Sequence, residues 1–510
     1  MKFRLSSFLL PWCFAATVLS DDNSKKLDKK IRNVVLIVLE NRSFSKMAGY
    51  FNYSKEIRGL TGKEYNLLDV NDSNSLKLYT TDDAVYVDPD DPSHSIPGTY
   101  EQITGMQGDP STPITGVPPM SGFLQNFARV YNINKTDVAR LKHVMNAFKP
   151  TDIPVTYELA KNFALFDGWY ASVPGPTNPN RLYIHTATSN GAYETTNHDE
   201  LIGFDQRSIY DNLDEKNITW KNYYSTFPEL IAAKRLRNKS GYSKMKKLDV
   251  FFADAKAGTL PQYSVVNPTF EGYPCFNGEP NDEHPPYSVA KGEQFIKTIY
   301  EALRASPQWN SSLLIITWDE HGGFYDNVPP PSNVPPPDNV TAPIFNFDRL
   351  GIRVPTLLIS PWIKKGLVVH DPPKKGSYFE HSSIPATLKK IFDLPNFLTR
   401  RDAWAGTFEY LWEDVEFPRT DTPTTLPDVP KSINKKRKHR RSQIDLPEPV
   451  ACLLLKACSM HCLGKQMPEV WRGFGAFKDS NNILRFNYIS DHTLNDSEMS
   501  ILINAFYFMV

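Results

Sequence analysis

Two unbroken apolar, β-rich runs constrain this chain more than any other feature. Val34-Val35-Leu36-Ile37-Val38-Leu39 breaks into Glu40-Asn41-Arg42-Ser43-Phe44, and Leu313-Leu314-Ile315-Ile316-Thr317 breaks, after Trp318, into Asp319-Glu320-His321-Gly322-Gly323-Phe324-Tyr325-Asp326. A strand apolar on both faces belongs inside a parallel sheet. Polar groups at its C-terminal end then reach the edge where open α/β sheets bind ligands. If the two strands are neighbours, Glu40, Asn41, Asp319 and Glu320 meet at that edge.

Other segments supply further elements. Residues 154–166 carry helical spacing (Val155, Leu159, Phe163, Phe166) and end at Asp167-Gly168, a C-cap pattern. Short strands are expected at 248–252, 263–266 and 354–360, and helices over 289–306 and from Ser382 or Ser383 to about Phe392. Residues 60–120, rich in Asp, Pro, Gly and Ser, read as a long functional loop holding Asp91-Pro92-Ser93-His94, and 328–343 as a stiff proline-dense lip.

The chain has 510 residues, 40% apolar and 22% charged, enough for a sizeable core, and its zero net charge favours neither nucleic acid nor an acidic partner. Lys2 and Arg4, an apolar stretch over 8–19, then Ser20 before Asp21-Asp22 read as a cleavable signal peptide over 1–20, too short to span a membrane. The expectation is a protein that is secreted, or held in the secretory pathway or at the cell surface, with no transmembrane span after cleavage. Asn52, Asn71, Asn134, Asn217, Asn238, Asn310, Asn339 and Asn495 each begin an Asn-x-Ser/Thr acceptor. Without Cys13 four cysteines remain, Cys275, Cys452, Cys458 and Cys462, which permit two disulfides of unfixed pairing; Cys458-Ser-Met-His461-Cys462 matches no common zinc spacing. Composition shifts near 430, separating a catalytic domain over 31–430 from a segment over 431–510. That segment carries the basic block 435–441, a solvated linker, a lipid contact or a processing signal, and ends in a short apolar tail at 501–510.

Three carboxylates and an amide form an oxygen-donor set for a divalent cation such as Ca, Mg or Mn, and nearby imidazoles extend the choice to Zn. Thr177 lies in the proline-caged loop Pro174-Gly175-Pro176-Thr177-Asn178-Pro179-Asn180-Arg181. A metal beside a fixed hydroxyl suggests an activated alkoxide attacking an electrophile. His94, His284, His321 and His381, all in loop contexts, can bind phosphoryl oxygens or protonate a leaving oxygen. Taken singly, each acidic pair also reads as a helix cap and each histidine as a hydrogen-bonded surface residue.

Glu40 to Phe44, Pro176 to Arg181, Asp319 to Asp326 and Glu380-His381-Ser382-Ser383-Ile384-Pro385-Ala386-Thr387 together resemble the signature segments of the phosphoesterase family, which holds non-specific phospholipases C and some acid phosphatases. Residues 397–409 resemble its plant phospholipase branch. The resemblance implies an alkaline-phosphatase-like α/β/α sandwich with a mostly parallel sheet. It implies Glu40, Asn41, Asp319 and Glu320 as metal ligands and Thr177 as nucleophile and metal contact. His94, His284 and His381 would surround the phosphate; Asn180 and Arg181 would shape the nucleophile loop and line the substrate, with a structural pin as the alternative for Arg181. His321 is a further candidate for substrate binding, its place beside Asp319-Glu320 equally suiting a role behind those ligands. Gly322-Gly323 would leave the substrate room. The implied reaction is phospholipase C-type hydrolysis of phospholipids at a membrane surface. A phosphatase of small soluble monoesters and a non-catalytic lipid-binding protein remain as alternatives. Two positions depart from the family pattern: Ser45, where aspartate is usual, and Asn327, where histidine is frequent. Ser45 is expected to remove a carboxylate behind the metal site, and Asn327 an ionisable group near the pocket.

Overall fold

The computed structural model describes residues 30–196, 203–270 and 279–430, and the two strands Gly475–Lys478 and Leu484–Asn487. Its centre is an eight-stranded sheet built from β1 (Asn33–Leu39), β2 (Ala164–Phe166), β3 (Trp220–Tyr224), β4 (Met245–Lys247), β5 (Tyr263–Val266), β6 (Ser312–Trp318), β7 (Thr356–Ile359) and β8 (Leu367–Val369), in the order β8-β2-β7-β6-β1-β5-β3-β4. Only β7 runs antiparallel to its neighbours. The two apolar runs, β1 and β6, lie side by side with Leu39 opposite Trp318, and every residue of both is buried. Glu40 and Asp319 therefore leave the sheet together.

The main helices are α1 (Ile96–Thr104), α2 (Pro154–Asn162), α3 (Thr177–Thr186), α4 (Ile209–Glu215), α5 (Leu248–Ala257), α6 (Val289–Arg304) and α7 (Ser383–Phe392). Side chains alternate across β3 and so identify the two layers. Trp220 packs on Tyr210 of α4 at 4.7 Å, joined by its register partner Tyr263. Lys221 and Tyr223, pointing the other way, both bond Asp254 of α5 at 2.6 Å. Helices thus cover both faces, and the chain is the expected α/β/α sandwich.

Three local expectations are corrected. The helix expected over 154–166 ends at Asn162, and Ala164-Leu165-Phe166 becomes β2, buried between β8 and β7; strand pairing overrides a helical stripe that continued in sequence. Residues 248–252 open α5, and the strand is Met245–Lys247 just before them. The long loop contains the ribbon Tyr65–Leu67 with Lys77–Tyr79 and, directly after His94, helix α1, capped by Ser95 with Pro97 in its first turn. Helix α2 is capped from outside: Glu293 of α6 accepts from Val155 N at 2.8 Å, from Thr156 N at 3.1 Å and from the Thr156 hydroxyl. Among the described residues no helix is long and apolar enough to cross a membrane. Residues 1–20, all five cysteines, Asn495, the basic block and the apolar tail lie outside the described residues.

Candidate active site

Main-chain bonds continue the strand register into the polar turn. Asp319 N donates to Leu39 O at 3.1 Å, Arg42 N to Glu320 O at 3.0 Å and Asn41 N to Asp319 Oδ1 at 3.1 Å. Asn41 sits at φ 57°, a left-handed conformation that asparagine tolerates better than most side chains. The expected meeting of Glu40, Asn41, Asp319 and Glu320 is therefore built by the backbone itself. Burial pushes the Glu40 carboxyl well above its ordinary range despite the opposing Arg181, and Asp319 rises for the same reason. Glu320 goes down instead, because His94 and His321 outweigh its burial.

Helix α3 supplies a cation and a hydroxyl. Arg181 reaches Glu40 at 3.1 Å, Asp319 at 3.2 Å and Glu229 at 2.5 Å, the last unforeseen from sequence. Thr177, half-buried at the start of α3, lies one turn before Arg181 and so shares its face of the helix. The loop before Thr177 is braced from within: Asn180 accepts from Val173 N at 3.0 Å and donates to the carbonyls of Val173, Gly175 and Pro176. From outside, Arg401 donates to Ser172 O at 3.0 Å, which gives the 397–409 stretch a physical role. Asn180 thus shapes the loop, and Arg181 holds the carboxylates.

The histidines divide into two groups. The rings of His94 and His284 lie 6.4 Å apart, edge to face, with Asp91 against both: Oδ1 is 3.6 Å from His94 and Oδ2 is 3.7 Å from His284. Asp91 Oδ1 also accepts from Asn41 Nδ2 at 3.2 Å. Burial opposes the charge on His94, but Glu320 and Asp91 overcome it and raise its pKa. His381 is fully buried; its Nε2 donates to Asp319 O at 2.6 Å and its Nδ1 accepts from Trp169, while burial pushes its pKa down to about 4. It supports the Asp319 backbone as a neutral imidazole. His321 lies behind Glu320, 3.4 Å from Oε2, with its Nε2 on Gln102 at 2.8 Å. Gln102 also donates to Ser93 O at 2.6 Å, tying Glu320 to the His94 loop. Asp91 was visible in the Asp-Pro-x-His pattern, whereas Gln102 and Glu229 carry no local signal.

The two glycines lock loops together. A Cβ on Gly322 would meet Asn41 O at 2.2 Å, and one on Gly323 would meet Pro92 and Ser93 atoms at 2.7 Å, with φ 64° and 71° respectively. The space expected for substrate is filled by the backbones that carry Asn41 and His94. The two departures from the family pattern prove to be partners: Ser45 Oγ donates to Asn327 Oδ1 at 3.1 Å, and Arg353, paired with Asp326 at 2.9 Å, donates to the same Asn327 oxygen at 2.8 Å.

Among the described residues no three His, Cys, Asp or Glu side chains converge as a ready cage. One reason is that Arg181 takes Glu40 Oε1 and Asp319 Oδ2. Yet Asn41 Oδ1 and Glu320 Oε1 are buried without a hydrogen-bond partner. Each such atom costs about 1–3 kcal/mol, a penalty that a coordinated cation removes. The oxygen-only donors Glu40, Asn41, Asp319 and Glu320 fit a hard divalent ion.

The Phosphoesterase family matches residues 31–395. Non-specific phospholipase C1 of Arabidopsis thaliana is 47% identical over 417 residues, 80% of this chain and 76% of that protein. Non-specific phospholipase C4 of the same plant is 45% identical, covering 78% of this chain and 74% of its own length. Among solved structures, a protein in the alkaline phosphatase superfamily from Vibrio parahaemolyticus is 13% identical, covering 49% of this chain and 62% of that one, with a TM-score of 0.30. The chain belongs to the phosphoesterase family and is a phosphoric ester hydrolase.

Proposed function

We propose that this protein is a secreted, divalent-metal-dependent phospholipase C, which cleaves the glycerol-side P–O bond of glycerophospholipids at a membrane surface and releases diacylglycerol and a phosphorylated headgroup. The observation that carries the reading is the common edge of β1 and β6, where Asn41 Oδ1 and Glu320 Oε1 lie buried and unpartnered beside Glu40 and Asp319. The lipid substrate follows the relatives named non-specific phospholipase C, and secretion follows the signal-like residues 1–20.

Glu40, Asn41, Asp319 and Glu320, with Thr177, would hold the ion. When bound, a divalent cation supplies Lewis acidity and lowers the pKa of an adjacent hydroxyl. The Thr177 hydroxyl loses its proton to solvent as its oxygen attacks phosphorus, the glycerol-side P–O bond breaks, and the phosphoryl headgroup passes to Thr177 Oγ, which takes a proton back when water later breaks the Oγ–P bond. The first turn of α3 offers its N-terminal dipole to the phosphoryl charge. His94, raised in pKa and paired across Asp91 with His284, gives its proton to the departing diacylglycerol oxygen and accepts one from the water that hydrolyses the phosphothreonine. Arg181 keeps Glu40 and Asp319 in place.

The test is product analysis on mixed phospholipid vesicles, beside p-nitrophenyl phosphate. Diacylglycerol release, reduced about a thousandfold or more in Thr177→Ala, is expected. Hydrolysis of the soluble ester alone, or near-full lipid activity in Thr177→Ala, would overturn the reading.

A further inference from the structure

Among the described residues, asparagines followed two positions later by Ser or Thr are exposed more often than the rest. Eight asparagines with described side chains begin Asn-x-Ser/Thr without proline, and seven of them, Asn52, Asn71, Asn134, Asn217, Asn238, Asn310 and Asn339, are exposed. The eighth is Asn41, buried in the candidate site. Of the other 18 described asparagines only six are exposed (Asn74, Asn132, Asn190, Asn333, Asn346, Asn396), and nine are buried. Turn and cap geometry accompanies the exposure of Asn134, Asn217 and Asn238 but not that of Asn310 or Asn52. Asn310 is exposed between buried Trp309 and buried Ser311-Ser312, where the chain enters β6, and Asn52 is exposed directly after buried Phe51. At Asn52, Asn134 and Asn339 the side-chain hydrogen bonds found run to the amide oxygen, from Tyr157, Thr136 and Arg400, whereas Asn238 Nδ2 donates to Arg235 O at 2.8 Å.

We infer that most of the seven exposed asparagines, Asn310 among them, are acceptors of N-linked oligosaccharide and that Asn41 is not. A hydrated glycan cannot be packed into a protein core, so a chain that meets the transferase must keep its acceptors on the surface; a chain that never meets it has no such constraint. In the transfer, the asparagine amide nitrogen bonds to the anomeric carbon of a lipid-diphosphate-linked oligosaccharide. The carbon–oxygen bond to diphosphate breaks, the lipid diphosphate leaves, and the amide gives up one proton to the transferase. Asn310 lies before β6 and the metal-donor turn after it, so its glycan sits about 20 Å or more from the catalytic edge, one strand length away. The inference requires passage through the secretory pathway but not phospholipase activity.

The test is expression of the full chain in a eukaryotic secretory host, peptide-N-glycosidase digestion in heavy-oxygen water, and mass spectrometry of each acceptor peptide. Heavy-oxygen aspartate at four or more of the seven positions, with Asn41 unmodified, is expected. Incorporation at fewer than four, or a modified Asn41 in active protein, overturns the inference. Asn310→Gln should remove one glycan mass and leave turnover per molecule unchanged; if the mass does not fall, Asn310 is not an acceptor and that assignment fails.

Discussion

Asp91 holds three groups of the site with one carboxylate: the amide of Asn41 and the rings of His94 and His284. Its bond occupies Asn41 Nδ2 and leaves Asn41 Oδ1 as the group without a partner. Asp91→Ala is therefore expected to lower turnover about 10- to 100-fold with little change in melting temperature, and Asp91→Asn to lose less; equal turnover in both would contradict this. Ser45 and Asn327 make the opposite case. Bonded to each other, and through Asn327 to Arg353, they form a neutral pair. A double-mutant cycle on Ser45→Ala and Asn327→Ala should give a coupling energy of about 0.5–1.5 kcal/mol in unfolding. At this scale the sequence marked most of the residues that meet at the edge, because strand ends and loop motifs are local. It could not reveal Gln102 behind His321 or Glu229 beneath Arg181, because those partners come from distant segments with no pattern of their own.

Element ends were the least legible feature, and α2 shows why. Its first turn is capped by a carboxylate from α6, and its apolar stripe runs on into residues that pair as β2. That cap also makes stability pH-dependent. Burial raises Glu293 from 4.5 to about 7, against the bonds from Thr156 and Val155 that favour its charge. The folded chain thus keeps a proton that the unfolded chain releases near 4.5. The contribution of this protonated group is complete below that value and is lost as pH rises through about 7, up to about 3 kcal/mol in total. Unfolding measured from pH 5 to 8 should show this decline in the native chain and a flatter profile in Glu293→Gln; parallel profiles would refute the assignment.

On the scale of the whole molecule, two buried parallel strands in adjacent register specify where the chemistry lies before any side chain is considered. Register delivers Glu40-Asn41 and Asp319-Glu320 to one edge, Gly322 and Gly323 clamp the Asn41 and His94 loops onto it, and α3 brings Arg181 to it with Thr177 one turn away on the same helix. The buried parallel strands followed from the uniform apolarity of β1 and β6 and the α/β/α layering from the family resemblance, whereas the antiparallel β7 followed from neither, because strand direction leaves no mark in so short a run. The central claim is that this edge holds a divalent ion required for phosphoester cleavage. The most direct measurement is bound metal per chain, by elemental analysis of the full-length protein, alongside diacylglycerol release before chelation, after chelation and after metal is restored. The account predicts bound divalent metal, loss of release with its removal, recovery on readdition, and weakened metal binding in Glu320→Gln. Undiminished release from metal-free protein would contradict it.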